Sequence, residues 1–493
     1  MIGWLDLEPP EDGRAIFEGK GYIVRQCVQS QLRDETYLAG LSAVVLTQSA
    51  IKPLKVSRDL FAHSSSLLNH DCRVIVRAAV PDSPIVVNSV KRVNNEQATA
   101  IPPTPCVRHF NPGVSWIEIG NVVEAWPQGR AANLSLRISV GAQNGVTPSL
   151  NPDAEVLIRR AFSDCSSVYL EVEHSGRSGA TIYRAYAEMD SLLMGQSTQP
   201  YFVKFDERPS VLCEYNAYRQ KVHPYVPFHL GPHLDYERCC LGEKKGLLVG
   251  NYVEESESFL RCAEEGRSTP AIACLFDRTL LAWRGLARCV SVPFSEPLLK
   301  RFPSKIDPRR FARASALGAT KNIRELRSLF SLCKSEPVLV GPIHGDLHGK
   351  NIRVRATEAI VIDFASQENC PLLLDAATLE ASLLVEGNFG DDNPECWLAA
   401  LTPLYGARLL EIPTVPVNAS SDWRWYCSSI QQIRGYAARW EQAADQYAAA
   451  LALALLEKAK KDPEAEDRDA SRRAVAYVLA ERILVETFAR QTA

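Results

Sequence analysis

The stretch IHGDLHGKNIRV, residues 343–354, places two histidines, an aspartate, a lysine and an asparagine between positions 344 and 351 of an otherwise apolar neighbourhood. Such residues can hold a metal, move a phosphoryl group, or merely decorate a turn. His344, Asp346 and His348 spell HxDxH, and on a strand three alternate side chains share one face, as metal ligands can. A hydrolytic zinc or di-metal centre needs further ligands, however, and His348 is the last histidine in the chain. The other reading pairs Asp346 with Asn351 and then with Asp363, at the end of the apolar strand in AIVIDFA. A loop carrying Asp and then Asn, closed by a hairpin that ends in Asp, gathers one general base and two oxygen ligands for Mg²⁺ around one point. This is the equipment of phosphoryl transfer.

The elements that must position these residues follow from the rest of the chain. At 493 residues it exceeds one ordinary core, and 46% hydrophobic with 23% charged residues is the composition of a globular protein. A net charge of −3 and a pI near 6.4 give no global attraction to nucleic acid or an anionic membrane. Fourteen cysteines without a CxxC pair read as reduced thiols of a cytoplasmic protein. The start, MIGWLDLEPPEDG, lacks the pattern of a secretory signal, and YAAALALALL at 447–456 is too short to span a bilayer and reads as a packed helix.

Residues 1–150 are expected to form an α/β domain with its linker. WLDL, a helix from Arg14 to Gly19, YIVRQC, LSAVVLT, a helical run from Leu54 to Leu68 and RVIVRAAV alternate as βαβ units do. The pattern resembles a receiver or flavodoxin-like domain, with Gln48 and Ser49 where a receiver needs its phosphate-accepting aspartate; an unrelated α/β docking domain fits equally. SWIEIG and LSLRISV read as isolated strands, and GAQNGVTPSLNPD as the linker. From Val156 to Phe205 the pattern is strand, turn, strand, followed by helical VLCEYNAYRQKV and strand-like GLLVGNYV. Beyond Glu254 the chain is mainly helical. A small β-rich lobe, 151–253, followed by a large helical lobe, 254–493, would place a ligand between them.

HGDLHGKN followed by IDF resembles the catalytic segment of the protein-kinase-like fold, in its aminoglycoside phosphotransferase and choline kinase branch, and most of all the bacterial ternary-complex-associated kinase-like domains. The resemblance is dense around this loop and sparser, but in order, over 160–493. It implies an α+β, bilobal fold binding ATP and Mg²⁺. It also implies a nucleotide-cradling turn, for which HSGRSGA offers Ser175, Gly176, Ser178 and Gly179; a strand lysine, Lys204 in YFVKFD; a helix glutamate to pair with it, Glu214; and an interlobe hinge at Tyr252 and Val253 that reads adenine. In that scheme Asp346 accepts the proton of the acceptor hydroxyl, and Asn351 and Asp363 hold Mg²⁺. His344 and His348 complete the catalytic candidates, His344 packing behind the loop and His348 either approaching the transferred phosphate or stabilising the loop. Asp375 looks like the family's aspartate that caps a helix and braces the catalytic loop, against a plain N-cap, and Glu380 is a weaker candidate from the same segment.

Departures from the pattern narrow the function. Gly345 stands where regulated protein kinases carry arginine, and eleven residues separate Asp363 from Asp375, too few to bed an extended peptide. A small-molecule type of kinase lobe is therefore favoured, and DFA in place of DFG keeps the metal ligand. The expected activity is transfer of a phosphoryl group to a hydroxyl of a small-molecule or macromolecular acceptor, in bacterial signalling or defence as the resemblance implies. The alternative is a catalytically weak nucleotide-binding switch whose residues 1–150 bind a protein partner. Transfer of a nucleotidyl group is a third reading, distinguished by product mass.

Overall fold

The computed structural model describes residues 1–5, 7–47, 67, 69–70, 72–77, 107–125, 129–141, 149–173, 179–189, 199–389, 393–406, 409–410, 421–460 and 468–488. The chain divides into two compact units, Met1–Tyr218 with His233–Tyr252, and Arg219–Pro232 with Val253–Ala493. Helix and strand are mixed, so the chain is α+β.

The first unit begins with β1 (Ile2–Leu5), α1 (Glu11–Gly19), β2 (Val24–Cys27), α2 (Glu35–Ala39), β3 (Ala43–Thr47), β4 (Arg73–Arg77) and β5 (Val107–Phe110). All five strands are parallel, in the order β2-β1-β3-β4-β5, the doubly wound order of flavodoxin-like sheets. Both faces are covered. Trp4, Phe17, Trp116 and Ile119 bury one side, and Leu5, Leu32, Leu38 and Leu46 the other, which is why these strands read as continuous apolar runs. Gln48, Ser49 and the helical run expected from Leu54 lie outside the described residues apart from Leu67.

Two expectations for this region need correction. SWIEIG does not form a strand but opens helix α3 (Trp116–Ala125). Trp116, Ile119, Gly120 and Val123, at i, i+3, i+4 and i+7, are buried while Ile117 is exposed, and a six-residue window is too short to separate that period from alternation. The segment from Val156 does not start in a strand. Asn151 caps a helix, α4 (Pro152–Ala161), its side chain accepting from the Asp153 N–H, and Pro152 suits the first helical position.

A second sheet follows: β6 (Arg137–Val140), β7 (Cys165–Glu173), β8 (Thr181–Met189) and β9 (Tyr201–Glu207), then α5 (Arg208–Ala217), β10 (Cys240–Leu241) and β11 (Lys245–Asn251), ordered β10-β11-β9-β8-β7-β6. It is antiparallel except that β6 runs parallel to β7, so this sheet begins before residue 151. Arg160 of α4 donates to the carbonyls of Asn69 (2.9 Å), ahead of β4, and of Leu241 (3.0 Å) in β10.

The second unit holds β12 (Glu257–Ser258), α6 (Phe259–Glu264), α7 (Ser268–Cys274), α8 (Leu281–Gly285), β13 (Arg288–Val290), α9 (Pro308–Ala316), α10 (Ile323–Phe330), β14 (Val338–Ile343), β15 (Ile352–Arg355), β16 (Glu358–Val361), β17 (Glu368–Pro371), α11 (Leu373–Glu386), α12 (Pro394–Leu401), α13 (Ser421–Trp440), α14 (Gln446–Lys460) and α15 (Arg468–Phe488). α11 is buried from Leu373 to Val385, and α14, which contains YAAALALALL, is buried on nearly every side. A helix apolar all round belongs in a core. Among the described residues no helix is long and apolar enough to cross a membrane.

Candidate functional site

The first unit carries one part of the expected machinery. β9 lies between β8 and β11, with Lys204 opposite Ile182 and Leu248. Alternation along the strand turns Val203 and Phe205 into the apolar core and Lys204 to the other face. The chain then enters α5 without a loop, Pro209 falling in the first turn where a missing N–H costs little. One turn further in, Glu214 meets Lys204, Oε2 to Nζ, at 2.7 Å, with 2% and 5% of the two side chains exposed. Such burial costs each charge several kcal/mol of hydration, roughly balanced only by close pairing. Of the expected nucleotide turn, Gly179 is described, with φ +77° and open space around it; Ser175, Gly176 and Ser178 lie outside the described residues. Between Tyr252 and Val253, the residues expected as the hinge, the chain leaves the first unit for the last time. There the Tyr252 N–H donates to Pro200 (3.2 Å) and the Val253 carbonyl accepts from Ser256 (2.6 Å).

The second unit carries the loop. β14 delivers His344, and the loop ends in the hairpin β15–β16, where Ile352 pairs with Val361. Asp346 and Asn351 are locked together: the Asn351 amide Nδ2 donates to the Asp346 carbonyl (3.0 Å), the His348 N–H donates to the same carbonyl (2.9 Å), and the Asn351 N–H donates to His348 (2.9 Å). With Nδ2 fixed as a donor, Oδ1 is the amide's acceptor end. The Ile362 N–H donates to the Asn351 carbonyl at 2.9 Å, which holds the following residue, Asp363, against the loop. Asp363 sits at φ 63°, ψ 73°, a left-handed conformation that aspartate tolerates better than most side chains. One carboxylate and one amide oxygen are the hard donors that Mg²⁺ takes alongside phosphate oxygens, so these residues fit that ion.

His344 cannot serve a metal. It is fully buried, its Nε2 lies 2.9 Å from the Ile362 carbonyl, its Nδ1 accepts from the Asp346 N–H (3.3 Å), and its ring packs 5.1 Å from that of Phe364. It is therefore structural, and the HxDxH metal reading loses its first ligand. His348 Nε2 lies 3.8 Å from the Asp346 carboxylate, while its Nδ1 accepts from the Lys350 N–H at 3.3 Å. Among the described residues no group of three or more His, Cys, Asp or Glu side chains could hold a metal ion.

Beneath the loop runs α11. Asp375 does not cap its own helix; its carboxylate accepts from the N–H groups of His344 (2.8 Å) and Gly345 (3.0 Å). Burial pushes its carboxyl upward, with His344 and these two donors opposing the shift. Ser382, seven residues on, accepts from the Gly349 N–H (3.2 Å), and Glu386, four further, lies 3.8 Å from Lys350. Positions i, i+7 and i+11 fall on one helical face. Gly345 is required by the backbone: its φ is +80°, and a Cβ would stand 2.2 Å from the Ser366 carbonyl. Glu380 belongs to the core instead, bonded to Arg434 and Tyr447, both at 2.6 Å.

Several contributors escape a reading of the sequence. Arg301 donates to the Gly345 carbonyl (2.7 Å), to Glu368 of β17 (2.7 Å) and to Glu457 of α14 (3.0 Å). Burial raises the Glu457 carboxyl, Arg301 opposes the rise, and the Asp346 charge adds to it. The neighbouring Lys458 pairs with Glu386 at 3.1 Å; burial works to raise Glu386, yet Lys458, His348 and Lys350 together bring it down to about 2. Ser382 and Glu386 share the helical face of Asp375, but Thr378 and Glu380 are polar as well, so the pattern of α11 does not single them out.

No protein-family model matches the chain, and no curated protein matches it. Solved structures similar to it include aminoglycoside phosphotransferases and choline/ethanolamine kinases, at low identity and low TM-score. Aminoglycoside phosphotransferase APH(4)-Ia, solved with AMP-PNP and hygromycin B, is 12% identical, with 68% of this chain and 99% of that one covered and a TM-score of 0.39. Amicoumacin kinase hAmiN, solved with AMP-PNP, Ca²⁺ and Ami, is 13% identical over 64% of this chain and 89% of its own, with a TM-score of 0.34. A choline/ethanolamine kinase family protein of Mesorhizobium loti is 14% identical over 64% and 88%, with a TM-score of 0.34.

Proposed function

We propose that this protein is an ATP- and Mg²⁺-dependent phosphotransferase of the aminoglycoside phosphotransferase and choline kinase type, acting on a hydroxyl of a small-molecule or macromolecular acceptor. The observation that carries this reading is the locked Asp346–Asn351–Asp363 loop, which keeps one carboxylate for a proton and two oxygen donors for a metal. Asp346 accepts the proton of the acceptor hydroxyl as its oxygen bonds to the γ-phosphorus, and the bond from that phosphorus to the ADP oxygen breaks. Asn351 and Asp363 hold the metal. Bound Mg²⁺ supplies charge neutralisation on the triphosphate. Lys204, kept in place by Glu214, contacts the phosphates, and Ser175, Gly176, Ser178 and Gly179 cover them. The hinge at Tyr252 and Val253 binds the base. The five-stranded parallel sheet of residues 1–110 with its helices we read as a pseudo-receiver-like module that engages a protein partner.

The test is mass spectrometry of products after incubation of the purified chain with Mg-ATP and lysate. Wild type is expected to add a phosphoryl group to an acceptor, and Asp346→Ala and Asp363→Ala to abolish the addition. Nucleotide binding without Asp346-dependent chemistry would replace this reading with the nucleotide-binding switch. A product heavier by AMP would make it a nucleotidyl transferase.

A further inference from the structure

Residues 300–334 carry ten of the chain's 55 lysines and arginines but two of its 58 aspartates and glutamates, so a strongly positive segment sits in a chain whose net charge is −3. It forms α9, α10 and their flanks. Both helices are anchored on α15. The Phe311 ring of α9 packs edge-on against Tyr477 at 5.7 Å. In the turn between α9 and α10 the Tyr477 hydroxyl donates to the Lys321 carbonyl (2.8 Å), and Glu481 accepts from the Thr320 N–H (3.0 Å). Ala314, Leu326 and Phe330 are buried, which leaves the opposite side of each helix to solvent.

That side is cationic and not neutralised from within. Lys305, Arg309, Arg324, Arg327 and Lys334 are exposed, and none of the five forms an ion pair among the described residues. Arg327 instead lies over the Phe302 ring at 5.8 Å. The segment's two carboxylates are spent on backbone groups: Asp307 accepts from the Arg309 N–H (2.9 Å) and Glu325 from the Asn322 N–H (2.8 Å), each at a helix start. Like charges on neighbouring turns repel one another, and an external polyanion relieves that repulsion.

The kind of polyanion follows from what accompanies the charge. No large hydrophobic side chain is exposed between residues 300 and 334, so the segment offers nothing to insert into a lipid surface. Its three aromatic residues, Phe302, Phe311 and Phe330, are buried or half-buried, so unpaired bases find no stacking platform. Cations without apolar or aromatic contacts suit the phosphate backbone of a duplex. α9 and α10, of nine and eight residues, are each about 12–14 Å long, and a duplex carries roughly seven or eight charges over that length. We propose that the exposed side of α9 and α10 docks a nucleic-acid duplex through its phosphates, without reading its sequence. The docking does not depend on the phosphotransfer reading.

The test is fluorescence anisotropy of the full chain with a labelled DNA duplex of arbitrary sequence, over a range of salt concentrations. Wild type is expected to bind at low salt, with log K falling against log[salt] at a slope of about −3 to −5 for the exposed cations engaged. Arg309→Gln combined with Arg324→Gln is expected to weaken binding roughly tenfold at low salt and to flatten the slope by about 2. Arg261→Gln, at an exposed arginine of α6 outside the segment, leaves both unchanged. A melting curve checks that the variants fold, and Lys305→Gln combined with Lys334→Gln is a second pair expected to act as the first does. The proposal is overturned if wild type does not bind the duplex, if both double variants keep the wild-type slope, if the single strand binds more tightly than the duplex, or if phosphatidylserine vesicles capture the chain and the duplex does not. Duplex binding without phosphoryl transfer to any acceptor would leave the docking surface in place and remove the phosphotransfer reading alone.

Discussion

Replacing Lys204 by methionine separates what its ion pair does for folding from what it does for nucleotide. The side chain keeps its length, so the packing beside Ile182 and Leu248 is preserved and the main change is one charge. Glu214, 2% exposed, then stands buried opposite a thioether. Breaking a buried pair in this way costs about 3–5 kcal/mol, which for a unit of this size lowers the melting temperature by roughly 6–20 °C. Adding Glu214→Leu removes the stranded charge, and the double variant is expected to return to within about 1–2 kcal/mol of wild type. Nucleotide binding is expected to behave differently. A charged hydrogen bond to a phosphate contributes about 1.5–3 kcal/mol, so the affinity for Mg-ATP falls roughly 10- to 150-fold in both variants and does not recover with stability. Urea unfolding and titration with a fluorescent ATP analogue measure the two quantities on the same preparations. A double variant that binds Mg-ATP as wild type does would refute the reasoning and leave the pair a purely structural element.

Asp375→Ala strands the N–H groups of His344 and Gly345 and is expected to destabilise the second unit by about 2–5 kcal/mol, read by denaturant unfolding, with loss of phosphotransfer. Gly345→Ala forces a Cβ against the Ser366 carbonyl at positive φ; a cost of about 2 kcal/mol or more and a fall in kcat greater than any change in KM for ATP are expected. Glu386 lies well below its usual value of 4.5, at about 2. A depressed carboxylate contributes stability above its unfolded value and loses it as the pH falls through the folded one, so wild type is expected to exceed Glu386→Gln near neutrality by up to roughly 3 kcal/mol. That difference should vanish between pH 4.5 and about 2, and a constant difference over this range would contradict the assignment. Arg301→Gln leaves Glu457 buried without its partner and is expected to lower kcat at least tenfold; Arg301→Lys should recover stability better than activity, because lysine cannot fork between carboxylates and a carbonyl.

The legible part of the site was the part written locally. Asp346, Asn351 and Asp363 are joined by a loop and a hairpin, so their spacing carries their geometry, and Lys204 and Glu214 are separated only by the end of β9 and the start of α5. Asp375 was singled out as a helix cap that braces the loop; it meets the loop at His344 and Gly345 but caps no helix. Arg301 and Glu457 could not be read in this way. They lie 44 and 111 residues from Gly345 and Asp346 in the chain, and a single charge looks the same in the sequence whether it faces water or a buried partner. SWIEIG failed for another reason: alternation and helical period coincide over so few residues, and only Val123 breaks the tie. The strand β6 was recognised, but its partner was not, because nothing in RISV tells that it pairs in parallel with Ser167–Leu170.

α11 also acts as a ruler. Asp375, Ser382 and Glu386 span eleven steps of roughly 1.5 Å each, and the loop 344–351 is held against those marks at His344, Gly349 and Lys350. Inserting one residue between Asp375 and Ser382 would turn the later marks by about 100°, releasing Gly349 while leaving the helix intact. A seven-residue insertion would keep the face but lengthen the interval beyond the loop's reach. The loop and the helix can therefore change length only together, so the interval 375–386 is a stretch that does not tolerate insertions.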